Sequence, residues 1–351
     1  MKRTISLLLS VLMLLSAVAG INFTASAADN YKGYNYMLNG ETVVIKGYDG
    51  AVKNISIPAE IDGKAVTSIA AKAFSGSAIK SVVIPGSVTD FGEKAFEKCK
   101  SLTKVTINNG PAYLSEGMFQ NCTALTSVSI PNSVIDILDD CFYYCSSLES
   151  ITLGNNVEYV GWYSFGYCKS LKSVNLGKSI KTIADYAFYG SSFIKDVYFG
   201  GTFANWLDCV ILPEANDSLL NADFHFTALK DGWRSAAGKW CLIKNGVAQV
   251  GWVKEGGKWY YFDNMRVMQT GWVKSGSTWY YTDKSGAMKT GWQKIDGVWY
   301  YFNANGAMQK GWQKISSKWY YFEKSGAMRT EDLTYKGKVY KFDSNGACIN
   351  P

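Results

Sequence analysis

The chain has 351 residues, of which 47% are hydrophobic and 19% are charged, and its formal net charge is +7. This composition excludes a disordered tail or a coiled coil as the main structure, and the length corresponds to roughly two domains of about 150 residues each. The sequence contains one histidine, His225. A metal site with two imidazole ligands and a mechanism with two histidine bases are therefore excluded.

The first 27 residues predict a secretory signal peptide. Lys2 and Arg3 precede an apolar run that begins at Ile5 and ends near Ala19, and residues 25–27 have the small side chains of a cleavage site. No later apolar run approaches the ~20 residues that a membrane-spanning helix needs. We therefore expect a secreted chain with no transmembrane segment.

The remaining chain differs in charge and aromatic content between its two parts. Residues 28–229 carry 15 Lys/Arg and 20 Asp/Glu, a net charge of −5, whereas residues 230–351 carry 19 and 9, a net charge of +10. Ten of the twelve tryptophans follow residue 230. These differences predict two domains with different partners, at 28–229 and 230–351.

The first of these domains contains a repeat of about 23 residues. Each unit reads as a short strand, a turn and a compact helical segment, for example residues 82–84 and 93–96. One unit cannot bury its own apolar face, but stacked units form a continuous core, so the repeat predicts a solenoid. The aromatic position of the repeat is occupied by Phe74, Phe96, Phe119, Phe142, Phe165 and Phe188.

Four cysteines share one position of this repeat, three residues after the phenylalanine: Cys99, Cys122, Cys145 and Cys168. Equivalent positions of a solenoid stack in a column, where a free thiol behaves as a small buried hydrophobic group with a weak donor. Disulfides between neighbouring repeats stay open as an alternative, although four equally spaced thiols give no preferred pairing. The spacing indicates packing rather than catalysis or metal binding.

The repeat resembles the bacterial cell-surface leucine-rich repeats of the BspA type, whose signature is I-P-x-S-V…A-F-x-x-C-x-S-L. Residues 84–88 and 95–102 match it closely, and the resemblance covers residues 55–200 in six repeats. It implies a leucine-rich-repeat solenoid that adheres to a host or bacterial surface protein or to a glycan. Residues 28–54 and 200–228 are predicted to cap the array, and His225 is interpreted as a cap residue rather than a catalytic one.

The second domain contains a 20-residue repeat with the pattern G-W…W-Y-Y…G-A-M, in four intact and two degenerate copies. Each copy predicts a β-hairpin, because two strand-like segments flank a short glycine-containing turn. A two-residue turn at Gly256-Gly257 would place Trp252, Trp259 and Tyr261 on one face of the hairpin. The electron-rich rings on that face suit a quaternary ammonium ion, although packing of both faces into a core stays open.

This array resembles the choline-binding, cell-wall-binding repeats of Gram-positive surface proteins. The resemblance implies a pocket between successive hairpins, built from two tryptophans of one hairpin, a tyrosine of the next and a nearby methionine. The implied sets are Trp233 and Trp240 with Tyr261; Trp252 and Trp259 with Tyr281; Trp272 and Trp279 with Tyr301; and Trp292 and Trp299 with Tyr321, beside Met268, Met288 and Met308. At Trp312 and Trp319 the corresponding residue is Lys341, so we expect that pocket to be weak or empty.

The implied partner is choline on teichoic acid or another wall polymer, whose phosphates the charge of +10 would attract. We expect no cofactor, no metal and no nucleic-acid partner. A nucleophile–base pair, a phosphate-binding glycine loop and a Cys/His metal motif are all missing from the sequence, so it predicts a surface protein that is not an enzyme. Two alternatives stay open: glycan-binding aromatic repeats, and an accessory to a wall-associated enzyme.

Overall fold

The computed structural model describes residues 29–211 and 215–351. The predicted signal peptide lies outside these residues. The chain forms two compact units, the first comprising residues up to Lys195 with Cys209–Leu219, and the second comprising Asp196–Asp208 with Leu220–Pro351. The domain boundary at residues 229/230 stays a prediction.

The strands up to Lys195 are short. They are β1 (Asp29–Tyr31), β2 (Tyr34–Asn39), β3 (Thr42–Tyr48), β4 (Asn54–Ser56), β5 (Glu60–Ile61), β6 (Lys64–Ile69), β7 (Ser81–Ile84), β8 (Asp90–Phe91), β9 (Lys104–Ile107), β10 (Tyr113–Leu114), β11 (Ser127–Ser129), β12 (Asp136–Ile137), β13 (Ser150–Thr152), β14 (Tyr159–Val160), β15 (Ser173–Asn175) and β16 (Thr182–Ile183).

The elements after Lys195 begin with β17 (Asp196–Phe199), α1 (Phe203–Leu207), β18 (Val210–Ile211), α2 (Asp217–Leu220) and β19 (Asp223–Phe226). The strands that follow are β20 (Gly232–Ala236), β21 (Lys239–Lys244), β22 (Val247–Ala248), β23 (Gly251–Glu255), β24 (Lys258–Phe262), β25 (Gly271–Ser275), β26 (Thr278–Thr282), β27 (Gly291–Ile295), β28 (Val298–Phe302), β29 (Gly311–Ile315), β30 (Lys318–Phe322), β31 (Leu333–Tyr335) and β32 (Lys338–Tyr340).

The first unit is a parallel β-solenoid, as the 23-residue period predicts. One ladder runs β4-β7-β9-β11-β13-β15 and a second runs β10-β12-β14-β16-β18, while β1-β2-β3-β6-β5 and β8 form a sheet at the N-terminal end. Ser127 pairs with Ser150 and Ser150 pairs with Ser173, so each strand lies in register with the strand 23 residues later. Every repeat therefore presents the same position to the same side of the solenoid.

Two columns fill its core. The six repeat phenylalanines are almost fully buried, and their ring centroids follow one another at 4.8 to 5.4 Å. Beside them, the thiol of Cys122 donates to the carbonyl oxygen of Phe96 at 3.1 Å, and the hydroxyl of Ser191 donates to that of Phe165 at 2.6 Å. The four cysteines of this column are thus buried donors to the backbone of the preceding repeat, and all eight cysteines of the chain are free.

The segments predicted as helical around the phenylalanines are turns. Lys94 and Lys98 each have φ of 59°, in the left-handed region, which a continuous α-helix cannot include. The amide of Lys94 donates to the carbonyl of Glu116 at 2.9 Å, so it bonds to the next repeat instead of to its own turn. In the described residues the helices are α1 and α2, and neither is long and apolar enough to cross a membrane.

The second unit starts with a small sheet and continues as a series of hairpins. Strands β17 and β19 are parallel, and β22, β21 and β20 extend this sheet in antiparallel pairs. Trp206 is fully buried and its indole N–H donates to the carbonyl of Met265 at 2.8 Å. Each later hairpin is a separate two-stranded sheet.

His225 lies in this sheet, where its ring stacks on Tyr198 with centroids 4.7 Å apart. Its Nε2 is 3.0 Å from a carboxylate oxygen of Asp196, and its Nδ1 is 3.2 Å from the carbonyl of Gly246. Both ring nitrogens are engaged by neighbouring groups, an arrangement that fits the predicted structural role.

Candidate functional site

The hairpin register separates the aromatic residues into two faces. Trp252 pairs with Tyr261 and Lys254 pairs with Trp259, so these side chains share one face, while Tyr260 lies on the other. Gly256 and Gly257 have φ of 55° and 79°, as a tight two-residue turn requires. The same register recurs in the three hairpins that follow.

A short return segment links each hairpin to the preceding one. The amide of Met308 donates to the carbonyl of Trp279 at 2.8 Å, and that of Met288 donates to the carbonyl of Trp259 at 2.8 Å. Asn303 holds this segment, because its side-chain oxygen accepts from the amides of Asn305 and Ala307 at 3.0 Å. Each methionine is therefore fixed beside the second tryptophan of the preceding hairpin.

The glycine of each G-A-M triplet makes room for the methionine of the preceding unit. Gly306 has φ of 78°, and a Cβ placed on it would lie 2.3 Å from the sulfur of Met288. Gly326 stands in the same relation to Met308. A larger residue would push the methionine away from the aromatic rings.

Two tryptophans and one tyrosine form a corner at four of the five junctions between hairpins, and at the other junction Trp252 contacts Tyr280. The rings of Trp272 and Trp279 meet edge to face, with centroids 6.2 Å apart, and Trp272 lies 4.8 Å from Tyr300 of the next hairpin. The next junction repeats this geometry with Trp292, which is 6.2 Å from Trp299 and 4.8 Å from Tyr320. We call each such group an aromatic corner.

The corners open towards solvent on one side. Trp259 and Trp299 are each 41% exposed to solvent, although both are large aromatic side chains. By contrast Phe302 and Phe322, which lie behind the first tryptophan of a corner, are fully buried. The buried phenylalanines supply the core of the array and leave the tryptophan faces available.

The tyrosine of each corner differs from the one that the family resemblance implies. That Tyr261, Tyr281, Tyr301 and Tyr321 complete the pockets stays a prediction. The tyrosines whose rings contact the tryptophans of the preceding hairpin are Tyr260, Tyr280, Tyr300 and Tyr320. The reason is the strand alternation: Tyr301 pairs with Trp292 on the face that packs towards the following hairpin, where it lies 6.4 Å from Phe322.

Met328 belongs to this series although it was not among the expected site residues. Its amide donates to the carbonyl of Trp299 at 2.8 Å, so it occupies the place beside Trp292 and Trp299 that Met308 occupies one junction earlier. The 20-residue spacing of the methionines was a sufficient signal for this assignment.

The last junction retains its three rings. Trp312 lies 6.4 Å from Trp319 and 4.7 Å from Tyr340, so Lys341 does not replace the tyrosine of this corner. Other features set the junction apart: Lys338 places its ammonium 4.9 Å from the centre of the Tyr340 ring, and Cys348 occupies the methionine position. A cation of the chain itself thus lies against a ring of this corner.

The first junction, which contains Trp233 and Trp240, and the second, which contains Trp252 and Trp259, also have local features. A cavity of about 300 Å³ beside Trp240 and Met268 is lined by Lys239 and Lys284. At the second junction Thr282 replaces the buried phenylalanine, and the indole nitrogen of Trp252 is buried without a hydrogen-bond partner in the described residues. The five junctions are therefore similar in plan and unequal in detail.

Comparison with known proteins places both arrays. Residues 67–195 match the family model described as BspA type leucine rich repeat region, in 6 copies. Residues 249–290, 289–332 and 310–349 match the model described as choline-binding repeat. No curated protein matches the chain at a significant level.

Several solved structures are similar to parts of the chain. CbpJ from Streptococcus pneumoniae TIGR4 is 40% identical, covers 34% of this chain and 42% of its own length, and has a TM-score of 0.33. Choline binding protein F from Streptococcus pneumoniae is 38% identical, with coverages of 34% and 42% and a TM-score of 0.33. The leucine rich repeat protein of T. pallidum is 28% identical, with coverages of 57% and 99% and a TM-score of 0.46.

The chain spans 42% of the length of each of the two streptococcal structures. The family matches agree with the two periods of the sequence, the stacked 23-residue repeats and the 20-residue hairpins. The chain therefore combines BspA-type leucine-rich repeats with choline-binding repeats.

Proposed function

We propose that the second unit anchors the protein non-covalently to a choline-bearing wall polymer of a Gram-positive bacterium, and that the first unit is displayed there as an adhesion or recognition module. The carrying observation is the aromatic corner of Trp272, Trp279 and Tyr300, repeated at successive junctions. Its match to choline-binding repeats supports choline as the ligand.

The chemistry of the corner suits a quaternary ammonium group. Such a cation has no N–H to donate, so it is held by the negative ring faces and by dispersion with the methionine. Each desolvated ring contributes about 2 kcal/mol. After the cost of association, a single corner is expected to bind with a Kd on the order of millimolar.

Several corners act together on a polymer that carries repeated ligands. Once one choline is bound, the next is already close to a second corner, and the overall affinity rises without any new contact. The charge of +10 on residues 230–351 attracts polymer phosphates, an effect that salt screens. Anchoring thus combines a salt-sensitive attraction with salt-resistant aromatic contacts.

The proposal treats the protein as a binding protein without catalytic activity, exported by the predicted signal peptide. His225, the single imidazole of the chain, is engaged by Asp196 and Gly246. Paired carboxylates such as Asp139 and Asp140 lie in the turns of the solenoid, where their backbones bond to neighbouring repeats. Incubation with purified walls should accordingly release no soluble fragments.

Retention of the mature chain, residues 28–351, on a quaternary-amine matrix tests the anchor. At high salt we expect retention, with release by free choline and not by glucan oligomers. Replacing Trp259, Trp279 and Trp299 by alanine should abolish this retention, whereas Trp162→Ala, an exposed tryptophan of the first unit, should not change it. Loss of the wild-type protein at high salt, or release by glucan, would refute choline binding in favour of a glycan ligand or simple ion exchange.

A further inference from the structure

The first unit carries a surface cluster of aromatic rings that its core does not use. The rings come from three successive repeats, and Trp162 is 47% exposed. Tyr144 stacks on Tyr167 with centroids 4.8 Å apart, and Trp162 lies 6.1 Å from Tyr186. We call this cluster the aromatic patch; it consists of Tyr143, Tyr144, Trp162, Tyr163, Tyr167, Tyr186 and Tyr189.

Glycines beneath the patch let its rings lie flat. A Cβ on Gly166 would be 2.9 Å from the ring of Tyr143, and one on Gly190 would be 2.8 Å from the ring of Tyr167. The rings therefore cover the solenoid backbone closely and hold one another in edge-to-face pairs. The patch is a preorganised surface rather than a set of independent side chains.

Four of these tyrosines have left-handed backbones. Tyr144 and Tyr167 have φ of 60° and 56°, at the repeat position that Gly76, Lys98 and Asn121 occupy in earlier repeats. Tyr163 and Tyr186, with φ of 51° and 62°, occupy the second such position. Glycine and asparagine adopt this conformation more readily than a bulky residue does, and strain of this kind concentrates at functional sites. Folding alone does not require tyrosine here.

Negative charge is concentrated on the N-terminal side of the patch. Residues 105–168 contain six Asp/Glu and neither Lys nor Arg. Two of the six, Glu149 and Glu158, lie within ion-pair distance of Lys172 and Lys181. The others include Glu116, Asp139 and Asp140, and none of these three forms an ion pair with another residue that the structure describes.

The carboxylates follow one column of the solenoid that leads directly into the patch. The amide of residue 117 donates to the carbonyl of Asp139, and the amide of Asp140 donates to that of Trp162, so these turns stack in successive repeats. Burial, followed by the charges of Glu93, Asp139 and Asp140, raises the pKa of Glu116, while Lys94 acts in the opposite direction. The column of Glu93, Glu116, Asp139 and Asp140 thus keeps an excess of negative charge.

We propose that the aromatic patch and this acidic column together bind a lysine- or arginine-rich segment of another polypeptide. Guanidinium and ammonium groups pack on the faces of tyrosine and tryptophan and form charge-assisted hydrogen bonds with carboxylates, so one basic segment satisfies both parts of the surface. A polyanion would meet repulsion from the column. The inference rests on the proposed recognition role of the first unit and specifies its partner.

Binding of an oligo-arginine peptide to the mature chain, followed by fluorescence anisotropy, tests the inference. The double variant Y144N/Y167N places asparagine where Asn121 already stands, so it should keep the thermal midpoint while weakening binding roughly tenfold or more. Lys98→Asn makes the same backbone replacement outside the patch, and its affinity should stay within about twofold of wild type. E116Q/D140N should also weaken binding of oligo-arginine. An oligo-glutamate peptide, which the basic second unit attracts, should bind Y144N/Y167N and the wild type equally.

The proposal is overturned if folded Y144N/Y167N binds oligo-arginine as tightly as the wild type does, or if E116Q/D140N does. If that variant unfolds, Trp162→Ser makes the same test, because Trp162 does not have a left-handed backbone and its replacement should not disturb the turn. Choline-dependent retention measured on the same preparations separates the two proposals. A protein that the quaternary-amine matrix retains and free choline releases, but that does not bind the basic peptide, refutes this inference alone. The reverse result refutes the anchor alone.

Discussion

The two units use a repeated aromatic residue in opposite ways. In the first unit, Phe142 and its equivalents stack at about 5 Å between continuous parallel ladders and are almost fully buried. In the second unit, Trp259 and Trp299 stand on separate two-stranded hairpins and keep 41% exposure. A stacked ring between ladders builds a core, whereas a ring on an isolated hairpin face is left available to a ligand.

The ladders explain the difference in physical terms. Along the solenoid each strand bonds to the strands before and after it, so a ring between them is enclosed on all sides. Successive hairpins are linked instead through single return segments such as the bond from Met308 to Trp279.

Phe142→Ala should have the largest effect. Removing a fully buried ring between Phe119 and Phe165 leaves a cavity in the column and should lower the free energy of unfolding by about 3–5 kcal/mol. Phe193→Ala, at a side chain that is 65% exposed, should change it by less than about 1 kcal/mol. Denaturant titration measures both. Equal effects of the two substitutions would show that the phenylalanine column is not the core of the first unit.

Alkaline pH should weaken the solenoid through its buried thiols. Burial raises the pKa of Cys168 to about 12, compared with roughly 8.5 in an unfolded chain, so the folded state favours the protonated thiol. Its contribution is complete below pH ~8.5 and is lost as the pH rises towards 12, at about 1.4 kcal/mol per pH unit.

Comparing the pH dependence of Cys168→Ala with that of the wild type isolates this contribution. The variant should lose stability less steeply between pH 9 and pH 10.5, by about 1.4 kcal/mol per unit. Ser191→Ala removes a hydroxyl at the equivalent position of the next repeat, which does not titrate, and its slope should equal that of the wild type. A steeper slope for Cys168→Ala would contradict the assignment.

Tyr300→Leu and Tyr301→Leu decide which tyrosine completes a corner. The first removes a ring 4.8 Å from Trp272 and should weaken choline at that corner by about 2 kcal/mol, roughly 30-fold. The second removes a ring that faces the following hairpin and should have a smaller effect there. Titration of tryptophan fluorescence with choline measures both. A larger loss in Tyr301→Leu would restore the pairing that the family resemblance implies.

The sequence predicts most of the fold because the same residue types recur at fixed positions of both repeats. The recurrence of phenylalanine and cysteine every 23 residues is enough to place Phe142 and Cys145 in buried columns, since equivalent positions of a solenoid coincide. The sequence predicts helical segments around them, but these segments are turns. Lys94 has a left-handed backbone although lysine is a residue type that commonly occurs in helices, so its residue type does not reveal the turn. Their conformation depends on hydrogen bonds to the next repeat, and no local pattern reveals these bonds.

The register within each hairpin of the candidate site can be predicted from the sequence, whereas the packing between hairpins cannot. The register of Trp252 with Tyr261 follows from the turn at Gly256-Gly257, and the alternation within a strand already places Tyr260 on the opposite face. What alternation does not provide is the direction in which the next hairpin stacks. That direction decides whether Tyr300 or Tyr301 meets Trp272, and only the packing of whole hairpins determines it.

The column of thiols has a consequence for how the chain reaches its native state. Sealed among the repeats, Cys99, Cys122, Cys145 and Cys168 are out of reach of oxidants, yet in the unfolded chain they are equally spaced and interchangeable. On the proposed export route, folding competes with disulfide formation, and a bridge between cysteines of distant repeats would block the register of the ladders. A solenoid that closes before its cysteines meet an oxidant avoids such bridges, so on that route the speed of folding counts as well as the final stability.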